Sequence, residues 1–117
     1  VTVLWVPYHL DEHLPGLGLP LAPDEVITAE LPAGDVWTRL AFLYTVVARS
    51  VAGAAGPGNR PVVVSGDCTT ALGTVAGLQH AGVDVGIVWL DAHGDLQTLE
   101  TTASGYLGGL PLRLLGG

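Results

Sequence analysis

Pro61-Val62-Val63-Val64-Ser65-Gly66-Asp67-Cys68 and, one helix-length further on, Val85-Gly86-Ile87-Val88-Trp89-Leu90-Asp91-Ala92-His93-Gly94-Asp95 decide how this chain is read. Each is an apolar run that closes on a polar cluster. Neither run alternates, which predicts strands covered on both faces, as in a parallel sheet. Between them, Thr69 or Thr70 is placed to cap a helix reaching Ala81, with Gly82 ending it. Strand, helix and strand over this distance predict a βαβ unit. In open α/β sheets ligands bind beyond the carboxyl ends of the strands, where both polar clusters fall.

The rest of the chain fits the same class. Residues 2–7 are a short apolar, β-branched run and predict a buried strand, while residues 8–23 are punctuated by Pro15, Gly16, Gly18, Pro20 and Pro23 and predict a loop. Residues 25–31 predict a second short strand that stops at Pro32. Asp35 is placed as an N-cap, and behind it Val36, Leu40, Leu43, Tyr44, Val47 and Val51 recur on one face of a helix reaching Ala55. Residues 94–106 read as a polar, Thr-rich loop, and residues 107–115 as the start of another helix or turn. The fold class predicted is α/β, doubly wound.

With 117 residues, 49% of them hydrophobic and 13% charged, the chain fits one globular domain at most. A net charge of −7 repels phosphate backbones and argues against a nucleic-acid partner. It also favours, weakly, a cationic small-molecule substrate. No apolar run reaches the roughly 18 residues needed to span a bilayer, and Val1 to Val6 lacks the basic stretch that opens a signal peptide. A single cysteine allows no internal disulfide and suits a reducing compartment, so a cytoplasmic location is expected. The chain contains no methionine; it is expected to be part of a longer polypeptide.

If the backbone stays extended beyond Leu90, Asp91, His93 and Asp95 project to one side, because side chains in a strand alternate with period two. Two carboxylates and an imidazole suit a divalent cation such as Mn²⁺, and also Zn²⁺ or Fe²⁺. The plainer alternative is that Asp91 caps a turn while His93 bonds locally.

Ser65-Gly66-Asp67-Cys68-Thr69-Thr70 and Val88-Trp89-Leu90-Asp91-Ala92-His93-Gly94-Asp95 resemble the first two signature blocks of the arginase, agmatinase and formiminoglutamase (ureohydrolase) superfamily. Thr101-Thr102-Ala103-Ser104-Gly105 and Gly109-Leu110-Pro111 continue the resemblance, which covers roughly residues 61–115. It implies an arginase-like, mostly parallel sheet of which residues 1–117 are the N-terminal portion, and a homo-oligomer. It also implies hydrolysis of a guanidino or amidino C–N bond, by a pair of Mn²⁺ ions sharing a hydroxide that attacks the guanidinium carbon. Carried over by position, Asp91 bridges both metals, Asp95 binds the first and orients the hydroxide, and His93 binds the second. Gln97, Thr102 and Ser104 occupy the loop that grips the substrate in arginases.

Three features depart from the family pattern. Cys68 stands where a histidine ligand is usual, and a thiolate there favours Zn²⁺ or Fe²⁺; the alternative is a small buried residue with no ligand role. Gly108 stands where arginases keep a proton-shuttling histidine, and Tyr106 replaces a substrate-contacting asparagine. The last two metal carboxylates of the family belong to a later strand absent from this chain. These departures leave open a catalytically degenerate protein acting as a binding or scaffold module.

Other polar residues invite plainer readings. His9, Asp11, Glu12 and His13 suggest a solvated loop near the site mouth, and His80 a favourable charge at the end of its helix. Asp67 is expected to hold a turn or orient a ligand. Trp37 and Trp89 are expected to pack, and Glu100 to be an exposed loop acid. With strand edges left open, the chain by itself is expected to self-associate.

Overall fold

The computed structural model describes residues 1–117 and shows an α/β fold, partial in extent, built on a parallel three-stranded sheet. Strand β1 (Thr2–Val6) is central. The hairpin strands β2 (Tyr8–His9) and β3 (Glu12–His13) follow, and β4 (Glu25–Val26) pairs parallel to β1 through Leu4↔Glu25 and Trp5↔Val26. Helix α1 (Val36–Ala54) then carries the chain over the sheet to β5 (Pro61–Ser65), which pairs parallel to β1 from Thr2↔Pro61 to Val6↔Ser65. A 3-10 turn, Cys68–Thr70, leads into α2 (Ala71–His80), and a second, Leu107–Gly109, leads into α3 (Pro111–Gly116).

Helix α1 follows the sequence pattern. Asp35 caps it by accepting from the Thr38 amide at 2.8 Å, which satisfies one of the orphan N–H groups of the first turn. Leu40, Leu43, Tyr44, Val47 and Val51 are its buried face, and they join Leu4 and Val6 of β1, Tyr8 and Ile27 in one core. Val63 of β5 packs against the same core. On the opposite face of the sheet Val26 and Val62 stay exposed. Helix α2 docks on α1 through Gly73 and Gly77, both buried. A Cβ at Gly77 would lie 2.6 Å from the Ala48 carbonyl oxygen, and one at Gly73 would lie 2.9 Å from that of Tyr44. Only glycine lets the two helix backbones come this close.

Three expectations are corrected. Residues 85–90 form no strand: Val85, Ile87, Val88 and Leu90 are exposed, and no ladder pairs them. A strand persists where its backbone donors and acceptors meet a neighbouring edge. The β5 edge lies across an open cleft of about 380 Å³ from Val88 to Asp91. The βαβ unit is therefore β1, α1 and β5. Residues 8–23 contain the small hairpin β2–β3, turned at Leu10 with φ +52° and tied to α1 by the Arg39–Asp11 ion pair at 2.7 Å. Finally, Thr70 occupies the N-cap position of α2, but its side chain makes no capping bond. The side-chain cap belongs to the turn ahead of the helix, where the Asp67 carboxylate accepts from the Thr69 amide at 2.8 Å.

Tyr44 gives this core a pH dependence. Its phenol is buried on α1 and hydrogen-bonds the Thr69 hydroxyl. Burial pushes its pKa well above 10, with the Thr69 bond acting weakly against it. A raised folded-state pKa leaves the stability intact below the unfolded value near 10. Above that pH the unfolded chain loses a proton that the folded chain keeps, so stability falls by up to about 1.4 kcal/mol per pH unit. In denaturant titrations from pH 9 to 11, Tyr44→Phe is expected to show a shallower alkaline loss than the parent chain.

Candidate metal centre

Beyond the carboxyl end of β5 the chain turns at Gly66, whose amide donates to the Tyr8 carbonyl at 3.0 Å. A Cβ on Gly66 would lie 2.3 Å from that oxygen, so the turn requires glycine. Asp67 secures it from both sides, accepting from the Thr69 amide and from the Leu10 amide at 2.6 Å. Its carboxylate is thus consumed in building the turn, as its position suggested. The turn presents Cys68, half-buried, whose thiol donates to the Gly108 carbonyl at 3.2 Å.

The second cluster meets the first across a cleft. One ligand atom each from Cys68, Asp91 and Asp95 lies within 4.8 Å of the others. Asp95 is buried, at 7% exposure, and its backbone is left-handed with φ +49°, a conformation Asp tolerates better than most residues. Two contacts fix it. Its carbonyl accepts from the Arg113 amide in the first turn of α3 at 3.1 Å, and its carboxylate accepts from the Trp89 indole at 3.2 Å. Asp91 is exposed, and the His93 amide donates to its carboxylate at 2.9 Å. That bond holds the Asp91 carboxyl below the usual carboxylate range.

The backbone is not extended here, as the period-two argument required. It bends at Ala92 and His93. His93 therefore stays outside the Cys68, Asp91 and Asp95 group; its exposed ring sits 3.2 Å from the Asp91 carboxylate through Nδ1. Gln97 lines the cleft, and its amide donates to the Gly109 carbonyl at 3.0 Å. Thr102 and Ser104 do not line it. The Thr102 amide closes a turn onto the Thr98 carbonyl, and the Ser104 hydroxyl accepts from the Tyr106 amide at 3.2 Å. The cleft measures about 660 Å³, and His93 and Tyr106 also line it.

The donor set fits a divalent cation. Two carboxylates and a sulfur converge, one of the carboxylates is buried, and neither ion pair of the chain, Arg39–Asp11 or His93–Asp91, reaches Asp95. A buried carboxylate without a counter-charge is costly, and a bound cation would relieve it. Burial pushes the Cys68 thiol up to about 11, with the negative charge of Asp95 adding to the effect. Sequence reasoning did not find the Trp89–Asp95 bond or the joining of His9 to Tyr106, whose hydroxyl lies 3.0 Å from His9 Nε2. No local signal marks either one, since both depend on how distant turns meet.

An α/β chain with a parallel sheet and an acidic, thiol-bearing pocket beyond the carboxyl end of that sheet is the class that fold and site define. Comparison with known proteins makes this specific. The model of the Arginase family matches residues 21–115, and the chain belongs to that family. The arginase of Bacillus subtilis (strain 168) is 50% identical over 52 residues, 44% of this chain and 18% of that protein. The arginase of Eremothecium gossypii is 44% identical over 68 residues, 58% of this chain and 17% of that protein. The mitochondrial arginase-2 of Bos taurus is 42% identical over 73 residues, 62% of this chain and 20% of that protein. The match thus spans between 17% and 20% of these relatives' length. No helix of the chain is long and apolar enough to cross a membrane.

Proposed function

We propose that this chain supplies the N-terminal share of the active site of a metal-dependent hydrolase that cleaves the C–N bond of a guanidino or amidino compound. The observation that carries the reading is the convergence of Cys68, Asp91 and Asp95 within 4.8 Å in a member of the arginase family. Cys68, Asp91 and Asp95 would hold the cation, and the exposed His93 ring stands beside Asp91 for a second one. Carboxylate and imidazole ligands suit Mn²⁺, while the Cys68 sulfur shifts preference toward Zn²⁺ or Fe²⁺. When bound, such a cation makes a water nucleophilic near neutral pH. The protein residues do the rest. Asp91, ionised through its bond from the His93 amide, and the buried Asp95 give the cleft a negative wall that attracts a guanidinium. Gln97 on the cleft wall, with Thr102 and Ser104 in the following loop, would position the remainder of the substrate.

The reading is tested on the natural full-length polypeptide by metal analysis after reconstitution with Mn²⁺, Zn²⁺ or Fe²⁺ and by release of urea or amine from guanidino compounds. Stoichiometric cation with turnover supports it. A chain that retains no cation and hydrolyses nothing overturns it. Cation without hydrolysis favours the scaffold reading, which Cys68 at a ligand position motivates.

Cys68 makes a separate prediction. With its thiol near 11 it is protonated at neutral pH, so binding through sulfur must release a proton. Zn²⁺ affinity measured by calorimetry between pH 7 and 9 is expected to rise roughly tenfold per pH unit, with Cys68→Ser flattening the slope. An affinity independent of pH removes Cys68 from the ligand set.

A further inference from the structure

The 3-10 turn that follows the Thr-rich loop places Tyr106 directly over Gly108. A Cβ built on Gly108 would lie 2.3 to 2.6 Å from the Cε1, Cζ and Oη atoms of that ring. The absence of a side chain at position 108 is therefore what lets the phenol lie against the cleft wall. Gly108 is held in turn by the Cys68 thiol, through its carbonyl. His9 of β2 stacks on Tyr106, with ring centroids 6.1 Å apart and planes inclined by 14°, and its Nε2 lies 3.0 Å from the Tyr106 hydroxyl. Tyr106 lines the cleft that Asp91 and Asp95 share; His9, half-buried, is not among the cleft's lining residues.

We infer that the Tyr106 hydroxyl is the proton donor to the departing nitrogen, with His9 behind it as the group that restores its proton. This rests on the hydrolase reading above. The phenol is suited to that role, because partial burial, with the negative charges of Asp67 and Asp95 nearby, holds its pKa above the usual tyrosine value, and it keeps its proton at neutral pH. In the reaction, a water oxygen adds to the guanidinium carbon and the C–N bond breaks with its electron pair on the departing nitrogen. That nitrogen gains two protons, one from the adding water and one from a protein donor, and the water's second proton leaves to solvent. Tyr106 is that donor, and the proton it loses is replaced from solvent through His9 Nε2, so solvent gains one proton and returns one. A phenol alone is a sluggish donor; an imidazole in contact with it prevents a phenolate from accumulating beside two carboxylates.

The test compares guanidino substrates whose departing amines differ in basicity, an alkylamine against an aniline, in the metal-loaded full-length protein. Tyr106→Phe is expected to slow alkylamine departure about 100-fold or more, the usual range for a lost general acid, and aniline departure by less than about 10-fold. Divalent-cation affinity by calorimetry is expected to stay unchanged, since Tyr106 is not among the cation donors. Gly108→Ala, which drives a methyl group into the Tyr106 ring, is expected to give the same leaving-group signature. His9→Ala is expected to lose rate with the alkylamine substrate and regain it with added imidazole, which a merely structural role would not allow. An equal loss for both leaving groups, no loss at all, or a failure of imidazole to rescue overturns the inference while leaving the hydrolase reading in place. A parent protein that binds cation but hydrolyses neither substrate sinks both.

Discussion

Asp91→Ala is expected to abolish both cation retention and hydrolysis in the full-length protein. Outer partners of a metal site cost about 10 to 100-fold in affinity or activity when removed, and a direct ligand sets a floor above that range. Asp91 is the carboxylate that meets both Cys68 and Asp95 on one side and the His93 ring on the other. Asp67, another carboxylate lining the cleft, is already engaged by the Leu10 and Thr69 amides and is not free to substitute for it. Asp95→Ala is expected to match the loss. Trp89→Phe, which removes only the indole donor to Asp95, is expected to cost about 10-fold and thereby separates orientation from ligation. The measurement is cation content after dialysis, read beside the rate. An Asp91→Ala protein that keeps its cation and its turnover removes the basis of the proposed function.

The second large effect lies in the helix pair. Gly77→Ala and Gly53→Ala are the same chemical change on two helices, with opposite expected signs. At Gly77 the new methyl meets the Ala48 carbonyl at 2.6 Å and the Val51 Cβ at 2.7 Å. Both are held by the α1 backbone, so the helices must separate, at about 3 kcal/mol for an overpacked core. Better helix propensity returns about 1 kcal/mol, which leaves a net loss of about 2. At Gly53, exposed on α1, nothing lies within 4 Å of the new methyl, and propensity alone is expected to stabilise by about 0.5 to 1 kcal/mol. Denaturant midpoints of the two variants check both signs. A Gly77→Ala midpoint at or above that of the parent chain would show that α1 and α2 do not pack as closely as described.

How much of this was legible in the residues differs by element. α1 was fully so, because its cap and its buried face repeat within a few turns of one helix. β1 and β5 were legible from their apolar runs, and each found a partner in the other. Residues 85–90 carry an equally apolar run and form no strand, because pairing depends on an edge that local sequence does not contain. Asp67 was recognised as a turn residue, but its service as the side-chain cap of the following turn, in place of Thr69 or Thr70, depended on the backbone direction after Gly66.

The sequence by itself determined the class of the fold, the family, and the two polar clusters in which the chemistry would reside, since these follow from local periodicity and contiguous motifs. Tertiary structure alone decided which members of the clusters meet. It brought Cys68 to Asp91 and Asp95, turned His93 aside through the bend after Asp91, set Trp89 on Asp95, and stacked His9 on Tyr106 over a bare Gly108. The reason is one of distance along the chain. Periodicity reports the direction of a side chain within its own element, whereas a site is made by turns far apart in sequence, whose meeting is fixed by the packing of the elements that carry them.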